Sequence, residues 1–523
     1  MISPPSPQAI RAQMAQVADL WSLLELRTAA TPDTEALVDQ AGRRITFAQL
    51  RTASEALAAG LAGRGVRQGD TVAWELPTSV EAVELALALA RIGVRQVPII
   101  PIYRDREVRH CCRETGARWL ITGGEFRGYD FAALGARLAA DLGLTHLRVD
   151  GVAPSDPTSL LAAEPAPDDD RWVFYTSGTT AAPKGARHSD RTLSSIGRVM
   201  AAALHLEPSD RYALVFPFPH VGGIVLLYSS LSAGCCHLLA AAFDPVSTPA
   251  FLAAEGVTHA GTGTPFHLAY LGAQRREPGR RLFPQLKCCP GGAAPKPPNL
   301  HEQVKRELGG VGIVSSWGLT EAPVLTFAGF DDPDDKLAAT EGRPLPGVEL
   351  RTVAVDGVLG SAGIEGELQV RGPHVMAGYV DASLDAEVFT PDGWLRTGDL
   401  GAIDAHGYVR ITGRVKDVII RNGENVSAKE VEDLLFAHPK VAEAAVFGVP
   451  DPVTGERVCA VIVVADPDRP LGLIEMADYL RTEGLRTQAI PERLEHVEAL
   501  PRNPAGKVTK QVLRDQVIAE VPR

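Results

Sequence analysis

The chain has 523 residues, 45% of them hydrophobic and 22% charged, with a formal net charge of −12. That length and apolar share suffice for several buried cores. The acidic balance excludes a nucleic-acid grip spread over a basic surface, so any phosphate binding must be local. The longest apolar runs, such as CAVIVVA at 459–465, are strand-sized and too short for a bilayer. The N-terminus lacks a basic stretch followed by an apolar core, and the final AEVPR carries no retention or peroxisomal tripeptide, so a cytoplasmic location is expected. Seven cysteines include the adjacent pairs 111–112, 235–236 and 288–289, with no CxxC spacing. Reduced, buried thiols are expected.

In chain order, TFAQLRTASEALAAGLAGRG (46–65) has apolar residues at helical spacing and closes on glycine. TVAWELP (71–77) reads as a strand. SVEAVELALALARIG (79–93) is helical, with Ser79 as its N-cap. QVPIIPI (96–102) is an apolar strand with an internal proline, DREVRHCCRETGA (105–117) a helix, and RWLITGG (118–124) a strand. This alternation predicts a parallel sheet covered by helices. A second alternating stretch over 171–330 offers YALVFPF (212–218), VTHAGTG (257–263) and GIVSSWG (312–318) as strands. From about 341, short strands such as GELQVRG (366–372) and HGYVRITG (406–413) follow glycine and proline turns, which predicts a smaller β-rich subdomain. SAKE (427–430) fits a capping box opening a helix with Val431, Leu434 and Leu435 on one face. Strands AEAAVFGV and VCAVIVVA, a helix LIEMADYLRTEGL, and a turn followed by a helix in PRNPAGKVTKQVLRDQV complete the chain.

YTSGTTAAPKG (175–185) stands out chemically. Thr176, Ser177, Thr179 and Thr180 offer hydroxyls, Gly178 lets backbone N–H groups converge, and Lys184 adds a point charge. The stretch suits an anion. It is not a Walker A loop, because Pro183 precedes the lysine and Gly185 follows it.

Five further stretches follow in order: FPFPHVGG (216–223), SSWGLTEAP (315–323), WLRTGDL (394–400), GRVKDVIIRNGENVSAKEVE (413–432) and PRNPAGKVTK (501–510). Together with 175–185 they resemble the motif set of the adenylate-forming superfamily, over nearly the whole chain. That superfamily comprises acyl-CoA synthetases, nonribosomal adenylation domains and firefly-type luciferases. The resemblance implies an α/β fold: a large N-terminal domain of two helix-covered, mostly parallel sheets with a small β-barrel-like subdomain (1–413), a hinge (414–416), and a small mobile α+β C-terminal lid (417–523). It also implies two half-reactions, in which a carboxylate attacks the α-phosphate of ATP and a thiol then displaces AMP. Both partners of the first step are anions, so the site must supply positive charge and alignment.

Roles follow from the resemblance. The loop with Thr176, Ser177, Gly178, Thr179, Thr180 and Lys184 is expected on the β- and γ-phosphates. Thr320 is expected on the α-phosphate, and Glu321 on Mg²⁺. Trp317 is expected to stack on adenine, with Gly291, Gly292 and Ala293 along its other face and Ser315 and Gly318 nearby. Asp399 is expected to take both ribose hydroxyls, assisted by Arg414. Lys507 is expected to bridge carboxylate and α-phosphate, and Lys416 to mark the hinge. Gly423 and Glu424 are expected beside a CoA tunnel. Phe218, His220, Val221, Gly222, Gly261 and Gly263 are expected around the acyl group, with His220 positioning substrate. One departure is Ala181, where most members have glycine.

The resemblance therefore implies an AMP-forming acid–thiol ligase using ATP, CoA and Mg²⁺, with no nucleic-acid partner or integral membrane association, as monomer or homodimer. The presence of Lys184, Glu321, Asp399, Arg414 and Lys507 disfavours a catalytically dead binding module. PIIPIYRDREV (98–108) and the 421–441 stretch look most like ligases for short-to-medium-chain fatty acids or alicyclic acids. The alternative is a free-standing enzyme that loads an acyl or aryl acid onto a carrier-protein pantetheine.

Overall fold

The structure is a computed structural model that describes residues 7–160, 166–176, 183–292, 296–297, 299–354, 357–422, 424–502 and 508–519. The helix Phe47–Gly63 starts where Thr46 and Gln49 form a reciprocal capping box. Val80–Ile92 starts at Ser79, whose side chain accepts the Ala82 N–H, and stops at left-handed Gly93. Val80–Ile92 and Asp105–Thr115 connect strands of a six-stranded sheet, and Phe47–Gly63 leads into it from the edge strand of another. Its order is Gly185–Ser189, Asp170–Tyr175, Arg95–Ile99, Thr71–Glu75, Trp119–Thr122, Thr145–Arg148. All its pairs are parallel except the hairpin between Asp170–Tyr175 and Gly185–Ser189. Pro98 is tolerated inside Arg95–Ile99, a strand that pairs fully with Thr71–Glu75 on one side and with Asp170–Tyr175 through Gln96 on the other.

A second layer joins distant parts of the chain. Arg211–Leu214 and Glu35–Asp39 each pair parallel with Cys236–Leu239, and Arg44–Thr46 adds an antiparallel edge. Cys289–Gly291 runs parallel to Ile313–Leu319, which turns back into Ala322–Phe327. The expected strand at 257–263 is reduced to a single stitch: His259 bridges Tyr212 on one side and Cys288 on the other. Its glycines, with Gly263 at φ 93°, cannot extend the ladder.

The helices Val80–Ile92 and Val221–Ala233 share one apolar core with side chains from both layers, including Trp74, Leu37 and Leu214. Val221–Ala233 buries nearly every residue, which explains why its sequence lacks a polar face. Each such leucine or isoleucine contributes about 1.5–3 kcal/mol by leaving water.

The β-rich subdomain is an antiparallel sheet ordered Glu349–Val353, Gly366–Arg371, Leu395–Ile403, Val409–Arg414. A 3₁₀ turn, Val415–Asp417, leads into a second α+β unit with its own core around Val431, Leu435, Val446, Ile462 and Met476. Ser427 caps Ala428–Ala437 by accepting the Glu430 N–H. All seven cysteines are buried and unpaired, as expected. Among the described residues no helix is long and apolar enough to cross a membrane.

Candidate functional site

The first wall of the site is built where two strands bring side chains into register. Asp399, on Leu395–Ile403, lies opposite Arg414 on the neighbouring antiparallel strand. Arg414 Nε therefore reaches Asp399 Oδ1 at 3.0 Å. From the Ile313–Leu319 strand, the Trp317 indole Nε1–H donates to Asp399 Oδ2 at 2.8 Å. Asp399 and Trp317 are 6% and 7% exposed. A buried carboxylate is expensive unless it is paired and hydrogen-bonded, and this one is both.

Glycines make room behind this wall. A Cβ on Gly318 would lie 2.3 Å from the Val324 nitrogen, so this position is glycine because two backbones touch. Gly292, at φ 149°, lies against Ser316, whose hydroxyl donates to Gly291 O at 3.0 Å. Ser315 turns inward instead: its buried hydroxyl receives Lys296 Nζ at 2.9 Å, and it is Ser316 that lines the cavity. Burial pushes the Lys296 amine down and the nearby Glu341 carboxyl up.

Next along the chain is the turn between Ile313–Leu319 and Ala322–Phe327, whose Thr320 and Glu321 follow the wall residues Trp317 and Gly318 but do not line the cavity that Trp317 lines. His188, fully buried, donates from Nε2 to Thr320 O at 2.8 Å. Burial pushes its pKa down to about 4, so it is a neutral donor at pH 7. The Met376 N–H donates to Glu321 O at 2.8 Å, and the Tyr379 hydroxyl donates to Glu321 Oε1 at 2.6 Å. Burial and then the Glu321 charge push the Tyr379 phenol up, so it stays protonated. Lys184 Nζ stands 5.4 Å from the Tyr379 ring centre and 3.4 Å from Glu387 Oε2. Thr176 N donates to Lys184 O and Lys184 N to Thr176 Oγ1, which closes the neck of the 176–184 loop. This loop leaves the carboxyl end of a sheet strand, the usual place for a ligand in an α/β layer. Sequence reading had no signal for Tyr379 or His188, because their partners lie 58 and 132 positions away.

A cavity of about 480 Å³ runs from Gly292, Trp317 and Asp399 past Lys416 of the connecting turn to Lys429 and Lys510 of the following unit. The structure thus brings Gly292, Trp317, Gly318, Asp399, Arg414 and Lys416 to one cavity. Its C-terminal side includes Lys429, paired with Asp433 at 2.6 Å, and Lys510, paired with Glu432 at 2.7 Å.

The acyl-pocket expectations divide. His220 is the N-cap of Val221–Ala233: its Nδ1 accepts the Gly222 N–H at 3.1 Å, which leaves Nε2 as the protonated nitrogen. Gly222 faces His220 and Phe216. The Gly261 carbonyl accepts the Tyr270 hydroxyl, and a Cβ on Gly263 would stand 3.2 Å from Gly292 O. Phe218 and Val221, in contrast, belong to the core; Phe218 is 1% exposed and its ring lies 6.2 Å from Trp74. Phe216, half-buried, lies beside His220, and neither is among the residues lining the cavity. Glu424 is half exposed and is not a cavity residue among those described. Ser177, Gly178, Thr179, Thr180, Ala181, Ala293, Gly423 and Lys507 lie outside the described residues.

The AMP-binding enzyme family matches residues 24–380, and the AMP-binding enzyme C-terminal domain matches residues 430–507. The chain is 31% identical to the medium-chain fatty-acid–CoA ligase of Escherichia coli (strain K12), over 96% of this chain and 91% of that protein. It is 33% identical to the salicyl-AMP ligase / salicyl-S-ArCP synthetase of Mycobacterium tuberculosis (strain ATCC 25618 / H37Rv), over 97% and 94%. Its structure matches ATP-bound MatB from Rhodopseudomonas palustris with a TM-score of 0.87 at 29% identity, over 96% of this chain and 99% of that one. The chain belongs to the AMP-binding enzyme family and is an adenylate-forming ligase.

Proposed function

We propose that the enzyme is an ATP-dependent carboxylate–CoA ligase that makes acyl-CoA through an acyl-adenylate, acting on a fatty or alicyclic acid. The observation that carries this reading is the buried Asp399 carboxylate, held by Trp317 and Arg414 on the wall of the cavity. An acceptor held there suits the hydroxyls of a ribose. In the first half-reaction a carboxylate oxygen bonds to the α-phosphorus and the bond to pyrophosphate breaks. In the second, the CoA sulfur bonds to the acyl carbon, AMP leaves, and the thiol proton passes to solvent.

This chain's residues divide the work. Asp399 and Arg414 hold the ribose, and Trp317 with Gly291, Gly292 and Ala293 flanks adenine. Lys184 and the hydroxyls of its loop hold the β- and γ-phosphates, exchanging the Glu387 contact for a phosphate. Thr320, fixed through its carbonyl by His188, faces the α-phosphate. Lys507 bridges carboxylate and α-phosphate, then leaves as residues 417–523 rotate about 414–416, bringing Gly423 toward the thiol. Glu321 keeps a second oxygen beyond the one bonded to Tyr379. Among the described residues no cluster of three or more His, Cys, Asp or Glu could form a protein cage for a metal. One carboxylate fits Mg²⁺, which takes few protein ligands and completes its shell with phosphate oxygens and water. Bound there it would neutralise phosphate charge.

The likeness to a medium-chain fatty-acid–CoA ligase supports the acid class, whereas the likeness to a salicyl-S-ArCP synthetase favours a second reading, transfer to a carrier-protein pantetheine. Pyrophosphate release over a carboxylate panel, with and without CoA, separates the two. The proposal expects release with octanoate or cyclohexanecarboxylate and acyl-CoA equal to AMP. Turnover of aromatic or dicarboxylic acids alone would overturn the acid class. Release without any thioester would favour the carrier.

A further inference from the structure

We infer that Trp317 is a positioning residue for nucleotide selection: through Asp399, its indole N–H sets the preference for ribose over deoxyribose nucleotides. The inference rests on the ATP reading above and goes beyond an adenine plate. A carboxylate has about four lone-pair sites. In the structure Trp317 Nε1–H occupies one on Oδ2 and Arg414 Nε one on Oδ1. One site on each oxygen remains for a ribose hydroxyl.

The two donors differ in what they can fix. The Arg414 side chain is 43% exposed, so its pairing is screened and its long stem is mobile. The Trp317 ring is 7% exposed, rigid, and carries a single donor that cannot also accept. Its strand is tied on both sides, parallel to Cys289–Gly291 and antiparallel to Ala322–Phe327. The Asp399 backbone is held as well, its N–H donating to Thr397 Oγ1 at 3.1 Å. The carboxylate rotamer is thus set mainly by the indole. A phenylalanine here keeps an aromatic face and loses the N–H. Asp399 can then turn away from the 2′-hydroxyl, whose recognition depends on direction more than on charge.

The test is calorimetric binding of ATP and 2′-deoxy-ATP, without acid or CoA, to wild type, Trp317→Phe, Asp399→Ala and the double variant. The expected result is a preference for ATP in wild type that falls about tenfold in W317F. In the Asp399→Ala background, W317F should not change the ratio further. Equal weakening of both nucleotides in W317F, with the ratio kept, would overturn the inference and leave Trp317 as a plate only. Failure of wild type to bind ATP would instead overturn the functional reading beneath it. An independent readout keeps the wild-type ring. Among the six tryptophan indole resonances in a proton–nitrogen spectrum, one should move upfield in Asp399→Ala. No movement would contradict the bond.

Discussion

Tyr379 links Glu321 and Lys184, the two charged groups proposed for the phosphate end of the site. Its hydroxyl donates to Glu321 and its ring lies beneath Lys184. A hydrogen bond to a charged acceptor is worth about 1.5–3 kcal/mol. Tyr379→Phe keeps the ring and removes only that bond, leaving Glu321 free to rotate. The Mg²⁺ concentration giving half-maximal pyrophosphate release should rise about tenfold, with the rate at saturating Mg²⁺ little changed. A Mg²⁺ titration checks this; an unchanged midpoint would remove Tyr379 from the site. At this scale the motif residues were legible and their partners were not. Trp317 and Asp399 each stand in a readable motif, but 82 positions separate them, and only the packing of two different sheets makes them touch. Phe218 and Phe216 alternate in FPFPHVGG, and sequence alone could not tell which one turns inward.

The elements were more legible, because capping and periodicity are local. Ser79 and Ser427 cap their helices where the sequence predicts, although only the Ser427 half of the expected capping box forms. The strand at 257–263 failed because its glycines oppose an extended ladder, leaving His259 alone to bridge its neighbours. The pairing of Glu35–Asp39 with Cys236–Leu239 could not be read at all, since no local pattern encodes it. The strand Cys236–Leu239 carries a testable burden of its own. His237 is buried and donates from Nε2 to Leu226 O at 3.0 Å, and burial pushes its pKa from 6.5 down to about 4. As pH falls below 6.5 the unfolded chain takes up this proton first. The contribution to stability is therefore full above pH 6.5 and is lost by pH 4, about 3 kcal/mol in all. His237→Gln should flatten the pH dependence of stability in that window by about 1.4 kcal/mol per pH unit. Urea titrations between pH 4 and 6.5 check it; parallel curves would mean that His237 titrates normally.

The whole molecule places Trp317, Asp399 and Arg414 on one unit and the cationic groups Lys429 and Lys510 on the next, with the cavity between them. Such an arrangement suits two half-reactions served by one cavity and a movable second unit. Lys507→Ala should abolish carboxylate-dependent pyrophosphate exchange, a loss of at least about a hundredfold for a group acting on developing charge. The same variant should still convert a supplied acyl-adenylate to thioester. Equal survival of both steps would refute the division of labour between the units.

In the proposed chemistry a carboxylate attacks the α-phosphorus, and AMP is the leaving group of the second step. Turnover of the best-accepted acid, labelled with ¹⁸O in its carboxylate, tests this most directly by mass spectrometry of the nucleotide product. One ¹⁸O in AMP is expected for each acyl-CoA formed. Unlabelled AMP, or ADP with the label in inorganic phosphate, would contradict it.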